Sequence, residues 1–295
     1  MNGRIQRWQL GARCVLALLA WTFCAQAGAP GWGLLAAVLA FWIHAPVIAV
    51  LFICLLRVNR GRAAPGLGEL LRAFIGELWA VERVFSWQQP FAAGAHADFL
   101  PPDSTHRGVL LLHGYTCNRG LWNTWMPRLR AAGHPHIALT LEPAFGAIEQ
   151  YAEAIEAAVL RLTACTGRPP LIVAHSMGGL ALRAWAAHFG AAGRVQRCIT
   201  LGTPHFGTLL ARLAYTPNAR QMRHRGDWLG DLAGRELPLS GAGFDCFYSA
   251  CDQIVCPAET AVLPGSNAML LPATGHLAMV FHPDVFAEVE RQLRL

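Results

Sequence analysis

Ser176, Asp252 and His276 are the residues of this chain whose types and placement suit nucleophilic attack on a carbonyl group. A serine hydroxyl attacks poorly unless a base takes its proton, and the base needs an acid to fix its tautomer. Ser176 stands in Ala174-His175-Ser176-Met177-Gly178, between the apolar run Leu171 to Ala174 and a second run beginning at Gly178. That pattern predicts a buried strand, a tight corner and a helix, with the hydroxyl held out at the corner. The usual form is Gly-x-Ser-x-Gly, and alanine in the first place adds only a methyl group. The simpler alternative is a serine capping the helix.

Position selects the partners. In an open parallel sheet ligands bind beyond the carboxyl ends of the strands. Asp252 follows the strand predicted over 244–250, whereas Asp245 lies at its opposite end. Asp227 and Asp231 fall in a polar, irregular-looking stretch, and Asp284 reads as the first turn of the last helix. His276 follows a strand predicted over 268–271, next to Gly275, which would permit an unusual backbone angle. His282 is the second choice of base. His175 is expected to point away from Ser176, and His113 and His205 to sit on strand-end loops and shape the pocket. Charge developing on the attacked oxygen calls for two backbone donors, and losing one costs about 2.7–4 kcal/mol. Met177 at the helix start supplies one donor by position, and Tyr115 on the loop after the first strand supplies the other.

The elements that must position these groups alternate from about residue 85. Strands are expected over 108–113, 136–140, 171–174, 197–201, 244–250 and 268–271. Helices are expected over 121–132, 147–163, 178–189 and 284–293. Short apolar strands alternating with helices imply an α/β class with a mostly parallel sheet covered on both faces. Residues 209–243, with five arginines beside Tyr215, Met222 and Trp228, read as a lid or as a solvated insertion.

Upstream the chain changes character. The net charge is +6, and residues 1–62 hold six arginines and no acid. The excess therefore flanks two apolar runs, over about 11–29 and 32–56, and is a topology signal and not a nucleic-acid footprint. The second run is long enough to cross a bilayer. The first crosses if Arg13 snorkels to the interface, or else it is a signal peptide ending at Ala25-Gln26-Ala27. With basic ends inside, the region after residue 62 faces the cytoplasm. Residues 63–104 read as a linker and an amphipathic helix with Leu70, Phe74, Leu78 and Val81 on one side, placed against the membrane or against the domain that follows. His44 and Pro46 read as structural. The nine cysteines lack metal-ligand spacing, and their odd number argues against a complete disulfide framework.

Several of these pieces together resemble the α/β-hydrolase superfamily of bacterial lipase and esterase type. They are Leu-Leu-Leu-His-Gly-Tyr ending at 115, Ala-His-Ser-Met-Gly-Gly ending at 179, Gly-Thr-Pro-His-Phe-Gly-Thr over 202–208, the strand leading to Asp252, and Gly275-His276. The resemblance covers roughly residues 105–295. It implies an α/β-hydrolase fold and a carboxylic-ester hydrolase using Ser176, His276 and Asp252 through an acyl-enzyme, without metal or cofactor. The expected organisation is a membrane hairpin over 1–62, a linker and helix over 63–104, and a catalytic domain over 105–295 with a candidate lid at 209–243. The expected partners are an ester or lipid substrate and a bilayer, with no nucleic acid, and the expected location is the bacterial inner membrane. Acyl transfer or thioester hydrolysis would use the same site, and a tethered, non-catalytic binding module is the alternative from another class.

Overall fold

A computed structural model of the chain describes residues 2–59, 65–235 and 243–295. Arg60 and Arg62 of the expected topology signal, and the end of the expected lid, lie outside the described residues. Three helices come first: α1 (Asn2–Gln26), α2 (Pro30–Phe41) and α3 (His44–Val58). Helix α4 (Leu67–Val81) runs into a π-helical turn (Glu82–Gln88) and the short α5 (Gln89–Phe91). The remainder is β1 (Val109–Leu112), α6 (Met126–Ala131), β2 (His136–Ala138), α7 (Ala152–Thr166), β3 (Leu171–His175), α8 (Met177–Phe189) and β4 (Arg197–Leu201). It continues through α9 (Pro217–Gln221), α10 (Asp227–Arg235), β5 (Phe244–Tyr248), β6 (Asn267–Leu270) and α11 (Pro283–Leu293).

The six strands form one sheet in the order β2-β1-β3-β4-β5-β6, with every pairing parallel. Side chains alternate between two cores. Leu110, Leu112, Ile172 and Ala174 face one, against α7 and α8, while Val109, Leu111, Leu171 and Val173 face the other, with Met126 and Val289. This two-sided burial explains why the strands read as continuous apolar runs instead of alternating ones. Each fully buried Leu or Val contributes about 1.5–3 kcal/mol. The strand order turns back between β1 and β3, so the loops leaving these two strands part and open a crevice at their carboxyl ends.

Several elements differ from the sequence expectation. The helix expected over 121–132 is a 3-10 turn (Arg119–Trp122) followed by the shorter α6, and Pro127 sits in the first turn of α6, where its missing N–H costs nothing. Asp227 and Asp231 lie on α10 and not in irregular chain. Its partial positive end accepts Asp227 in the first turn.

The N-terminal region holds one helix, α1, long and apolar enough to cross a membrane. Helices α2 and α3 pass the same test only as a pair, bent by 56° at a short break. Val15, Leu18, Leu19 and Phe23 on α1 are all exposed, while another side of the helix packs on α2, where a Cβ on Gly33 would lie 2.7 Å from the Trp21 ring. Its N-terminal end is tied down. Asn2 Nδ2 donates to Cys117 O at 2.7 Å, and Gln6 Nε2 to Thr116 O at 3.1 Å and Gln89 Oε1 at 2.7 Å. Arg13 is not free to snorkel: its guanidinium donates to Glu82 Oε1 at 2.5 Å, Phe41 O at 2.7 Å and Ser86 Oγ at 3.1 Å. His44 lies 3.0 Å from the same Glu82 oxygen.

Helix α4 packs in two directions at once. Leu70, Phe74, Leu78 and Val81, the expected apolar side, meet a cluster formed by Ile48, Phe52 and Leu55 of α3 with Cys251 and Cys256. Its most buried residues are Ala73, Glu77 and Ala80. A third stripe, Leu67, Leu71, Ile75 and Trp79, is exposed.

Candidate active site

Ser176 links β3 to α8 with φ +54° and ψ −126°. A non-glycine residue in that region stores strain of order 1–3 kcal/mol and needs its surroundings to hold it there. Three contacts do so. Ser176 N donates to Leu201 O at 2.8 Å, Gly179 N donates to Ser176 O at 3.0 Å, and Thr203 Oγ1 donates to the same oxygen at 2.9 Å. The two glycines that follow are required for space. A Cβ on Gly178 would lie 2.7 Å from the carbonyl oxygens of Leu112 and His113, and one on Gly179 would strike Thr203. Met177 is the first residue of α8, so its N–H has no partner four residues back in the helix and faces the corner.

The loop after β1 approaches from the other side of the crevice. A Cβ on Gly114 would lie 2.8 Å from Ser176 Cβ, so only glycine lets the loop come this close. Tyr115 follows, with its hydroxyl 3.0 Å from Thr216 Oγ1 and its ring edge-on to Phe145. His113 pins the loop. Leu141 N donates to His113 Nε2 at 2.9 Å, which leaves Nδ1 as the donor to Gly114 O at 2.8 Å. Burial lowers its pKa to about 4, and the bond to Gly114 opposes that drop, so this histidine is neutral.

Asp252 and His276 meet. Asp252 Oδ2 is 2.8 Å from His276 Nδ1, with both groups buried. The other carboxylate oxygen, Oδ1, accepts from Ile254 N at 2.9 Å and Val255 N at 2.8 Å, which fixes its direction. Burial alone would lower the pKa of His276, but the Asp252 charge and hydrogen bond, with Glu77 adding to them, raise it above the ordinary histidine value. The pair sits against Gly202, at φ +54°, where a Cβ would fall 2.9 Å from Asp252 Oδ2 and 3.0 Å from His276 Nδ1. Gly202 directly follows the residue whose carbonyl holds Ser176 N. The Gly-Thr-Pro-His segment thus braces the corner through Thr203 and leaves room for the acid–base pair at Gly202.

Other candidates fall elsewhere. Asp245, at the opposite end of β5, forms a bidentate pair with Arg197 at 2.6 and 2.7 Å. His282 caps α11, its Nδ1 accepting from Asp284 N at 3.3 Å. His205 is buried with Nε2 3.2 Å from Thr200 Oγ1. His175 is in contact with the base, which the sequence reading did not anticipate. It alternates to the face beneath the histidine loop, its ring centroid 4.7 Å from that of His276 and its Nε2 3.2 Å from His276 O. All nine cysteines are free thiols, and burial pushes Cys251 and Cys256 up to about 11, so neither offers a thiolate near neutral pH.

A cavity of about 220 Å³ opens on Ser176 and Tyr115. Much of its wall comes from the 209–243 segment, as Leu210, Ala211, Leu213, Ala214, Ala219 and Met222, with Ile254 and Val255 from the acid loop. Apolar side chains of this segment, and not its arginines, line the cavity. Glu149 fastens the segment from below, accepting from Gln221 Nε2 at 2.6 Å and from the Trp228 indole.

Sequence reasoning missed Glu77. This residue of α4 accepts hydrogen bonds from Leu277 N at 3.1 and 2.9 Å, from Ala278 N at 3.0 Å and from Gln253 Nε2 at 2.6 Å. Gln253 Oε1 in turn accepts from His276 N at 3.2 Å. Gly275 is glycine for this reason: a Cβ there would lie 2.6 Å from Glu77 Oε2, and Gly275 is not among the glycines with positive φ. The sequence signal was the pair of small residues, Ala73 and Ala80, flanking an acid on one face of a helix.

No family profile matches the chain, and no curated relative is similar to it in sequence. Solved structures are similar in fold. The mature Bacillus licheniformis lipase BlEst2 superposes with a TM-score of 0.58 at 16% identity, covering 67% of this chain and 96% of that one. Aspergillus fumigatus lipase B superposes at 0.55 and 19% identity, over 62% of this chain and 51% of that one. The chain therefore has an α/β fold with a parallel sheet matching lipase structures.

Proposed function

We propose that this protein is a membrane-anchored serine hydrolase that cleaves carboxylic esters. Ser176 attacks the acyl carbonyl while His276 takes its proton, and Asp252 steadies the resulting imidazolium. The amides of Tyr115 and Met177 receive the oxyanion. Collapse expels the alcohol, which takes the proton from His276, and leaves an acyl group on Ser176. Water, deprotonated by His276, then attacks the acyl-enzyme and releases the carboxylic acid and the free serine. The observation that carries this reading is the buried 2.8 Å pair between Asp252 and His276, packed on Gly202 directly after the Leu201 carbonyl that holds the N–H of a serine at φ +54°. The apolar cavity wall suits an acyl chain. A fluorophosphonate probe is expected to label the folded protein at Ser176, and Ser176→Ala to lower turnover of a short-chain ester by on the order of 10⁶-fold. A folded protein that takes no label is the non-catalytic binding module.

The anchor is read as a hairpin, with α1 as one span and the bent pair α2–α3 as its return. A 25-residue helix is about 37 Å long, against a bilayer core of about 30 Å. Both ends of the hairpin touch the α/β domain: Asn2 reaches Cys117, and Asn59 Nδ2 donates to Ala250 O at 3.4 Å. Arg4, Arg7 and Arg57 lie at those ends, which supports a cytoplasmic domain by the positive-inside rule. In inside-out vesicles an added protease is expected to digest the domain; survival there together with cleavage from the outer side reverses the topology.

A further inference from the structure

We propose that Glu77 is a positioning residue for His276, supplied to the active site by a helix outside the α/β domain. The inference rests on the serine-hydrolase reading above and concerns how its base is held.

The histidine loop is held by partners from other elements, among them His175 Nε2, 3.2 Å from His276 O, and Trp125 Nε1, which donates to Val280 O at 2.8 Å. It leaves β6, the edge strand of the sheet, and turns over the top of the site. Its two amides after the histidine, Leu277 N and Ala278 N, converge on one carboxylate, that of Glu77. Such paired amides form a concave anion site in which an ionised carboxylate is favoured. The third donor, Gln253 Nε2, belongs to the residue after Asp252, and the other end of that amide accepts from His276 N. Glu77 therefore ties together the acid loop and the base loop through one side chain. Every partner named here is a donor, which is the inventory of an ionised acceptor and not of a protonated acid. Burial raises the Glu77 pKa above the ordinary carboxylate value, and the charge of His276 and these hydrogen bonds offset part of that rise. The contact is reinforced beside the carboxylate, where Trp79 of α4 meets Phe281 edge-on with ring centroids 5.3 Å apart and Arg83 lies over both rings.

Two consequences follow for the base. Its loop is fixed from behind, and the Glu77 charge acts on the imidazole together with that of Asp252. The titratable groups around His276 are Asp252 after β5, Glu77 on α4 and His175 at the end of β3, and burial keeps His175 neutral. A carboxylate facing the ring stabilises its protonated form. Because the base acts only when neutral, the Glu77 charge moves the acid limb of the pH–rate profile to higher pH, and removing that charge moves it lower.

The test uses the full-length protein in detergent micelles, with p-nitrophenyl butyrate hydrolysis and the fluorophosphonate labelling rate measured against pH. Glu77→Gln is expected to lower the plateau of kcat/KM about tenfold, with final labelling stoichiometry near that of the wild type. Its acid limb is expected to fall by roughly one pH unit. Glu77→Asp keeps the charge but is one methylene too short to reach the amides. It is expected to lower the plateau while leaving the limb in place, and it carries the test if the glutamine variant does not fold. A folded Glu77→Gln with an unmoved limb overturns the proposal, as does a limb that moves equally in Glu77→Asp. A loss of rate accounted for wholly by a smaller labelled fraction also overturns it. If the wild type itself takes no label at Ser176, the hydrolase reading has failed instead, so the two failures are told apart.

Discussion

The α/β domain and the helices that precede it contribute to the site in opposite ways. In the domain each candidate residue stands just past the carboxyl end of a strand, on a backbone conformation that its neighbours in sequence prepare. Ser176 is flanked by the glycines its corner needs, and Asp252 is held by amides two and three residues later. In the N-terminal helices the contribution comes from polar side chains within apolar helices, and their partners are far away in the chain. Asn2 and Gln6 hold carbonyls of the loop carrying Tyr115, and Glu77 holds amides of the loop carrying His276. The domain thus supplies the chemistry, and the helices brace the two loops flanking the nucleophile. A polar group in an apolar segment is costly unless it is paired, so each such residue marks a contact point.

Breaking the comparison at its strongest place means removing the acid of the domain. Asp252→Asn is expected to reduce kcat by about 10⁴-fold, because the amide no longer fixes the His276 tautomer or balances the imidazolium. Asp252 raises the His276 pKa, so the acid limb of the remaining activity should move to lower pH. A loss no larger than that of Glu77→Gln would mean the two carboxylates are equivalent and the contrast between regions is false. A smaller effect is expected from Gly114→Ala. The added methyl meets Ser176 Cβ at 2.8 Å and His175 Nδ1 at 3.0 Å. Forcing it in should cost about 1–3 kcal/mol of stability by thermal unfolding and, by shifting the loop, about 10²-fold in kcat. The same substitution one residue before Glu77 should act in the opposite sense. Gly76 has nothing within 4 Å of an added Cβ, so Gly76→Ala should stabilise the protein by about 0.5–1 kcal/mol with activity unchanged. A loss of activity there would show that α4 tolerates no change, and would weaken the specific assignment to Glu77.

Much of the domain was legible before folding was considered. The six strands fall where apolar runs of four to seven residues predict them, and β4 matches to the residue. Asp252 was separable from Asp245 because the two lie at opposite ends of one strand, and strand direction is set by parallel pairing. The expectation for His175 stopped short, since it used only the rule that a strand residue and its neighbour point to opposite faces. That rule takes His175 off the face of Ser176, and it is silent about which loop folds beneath. Gly275 was misread for a related reason: glycine serves either backbone angle or close approach, and the sequence does not say which. The N-terminal helices were read for hydropathy and charge, without partners for their polar side chains. Arg13 was assigned to the interface because its partner Glu82 lies 69 residues away.

The positions of the strands along the chain, the strand-to-helix corner at Ser176 and the identities of an acid and a base at strand ends were determined by the sequence, because these depend on local periodicity and on residues within a few positions of each other. The meeting of Asp252 with His276 and the gripping of the histidine loop by Glu77 were decided by tertiary structure. A buried polar group must find a partner wherever one is within reach, and reach in a folded chain is set by packing and not by distance along the sequence.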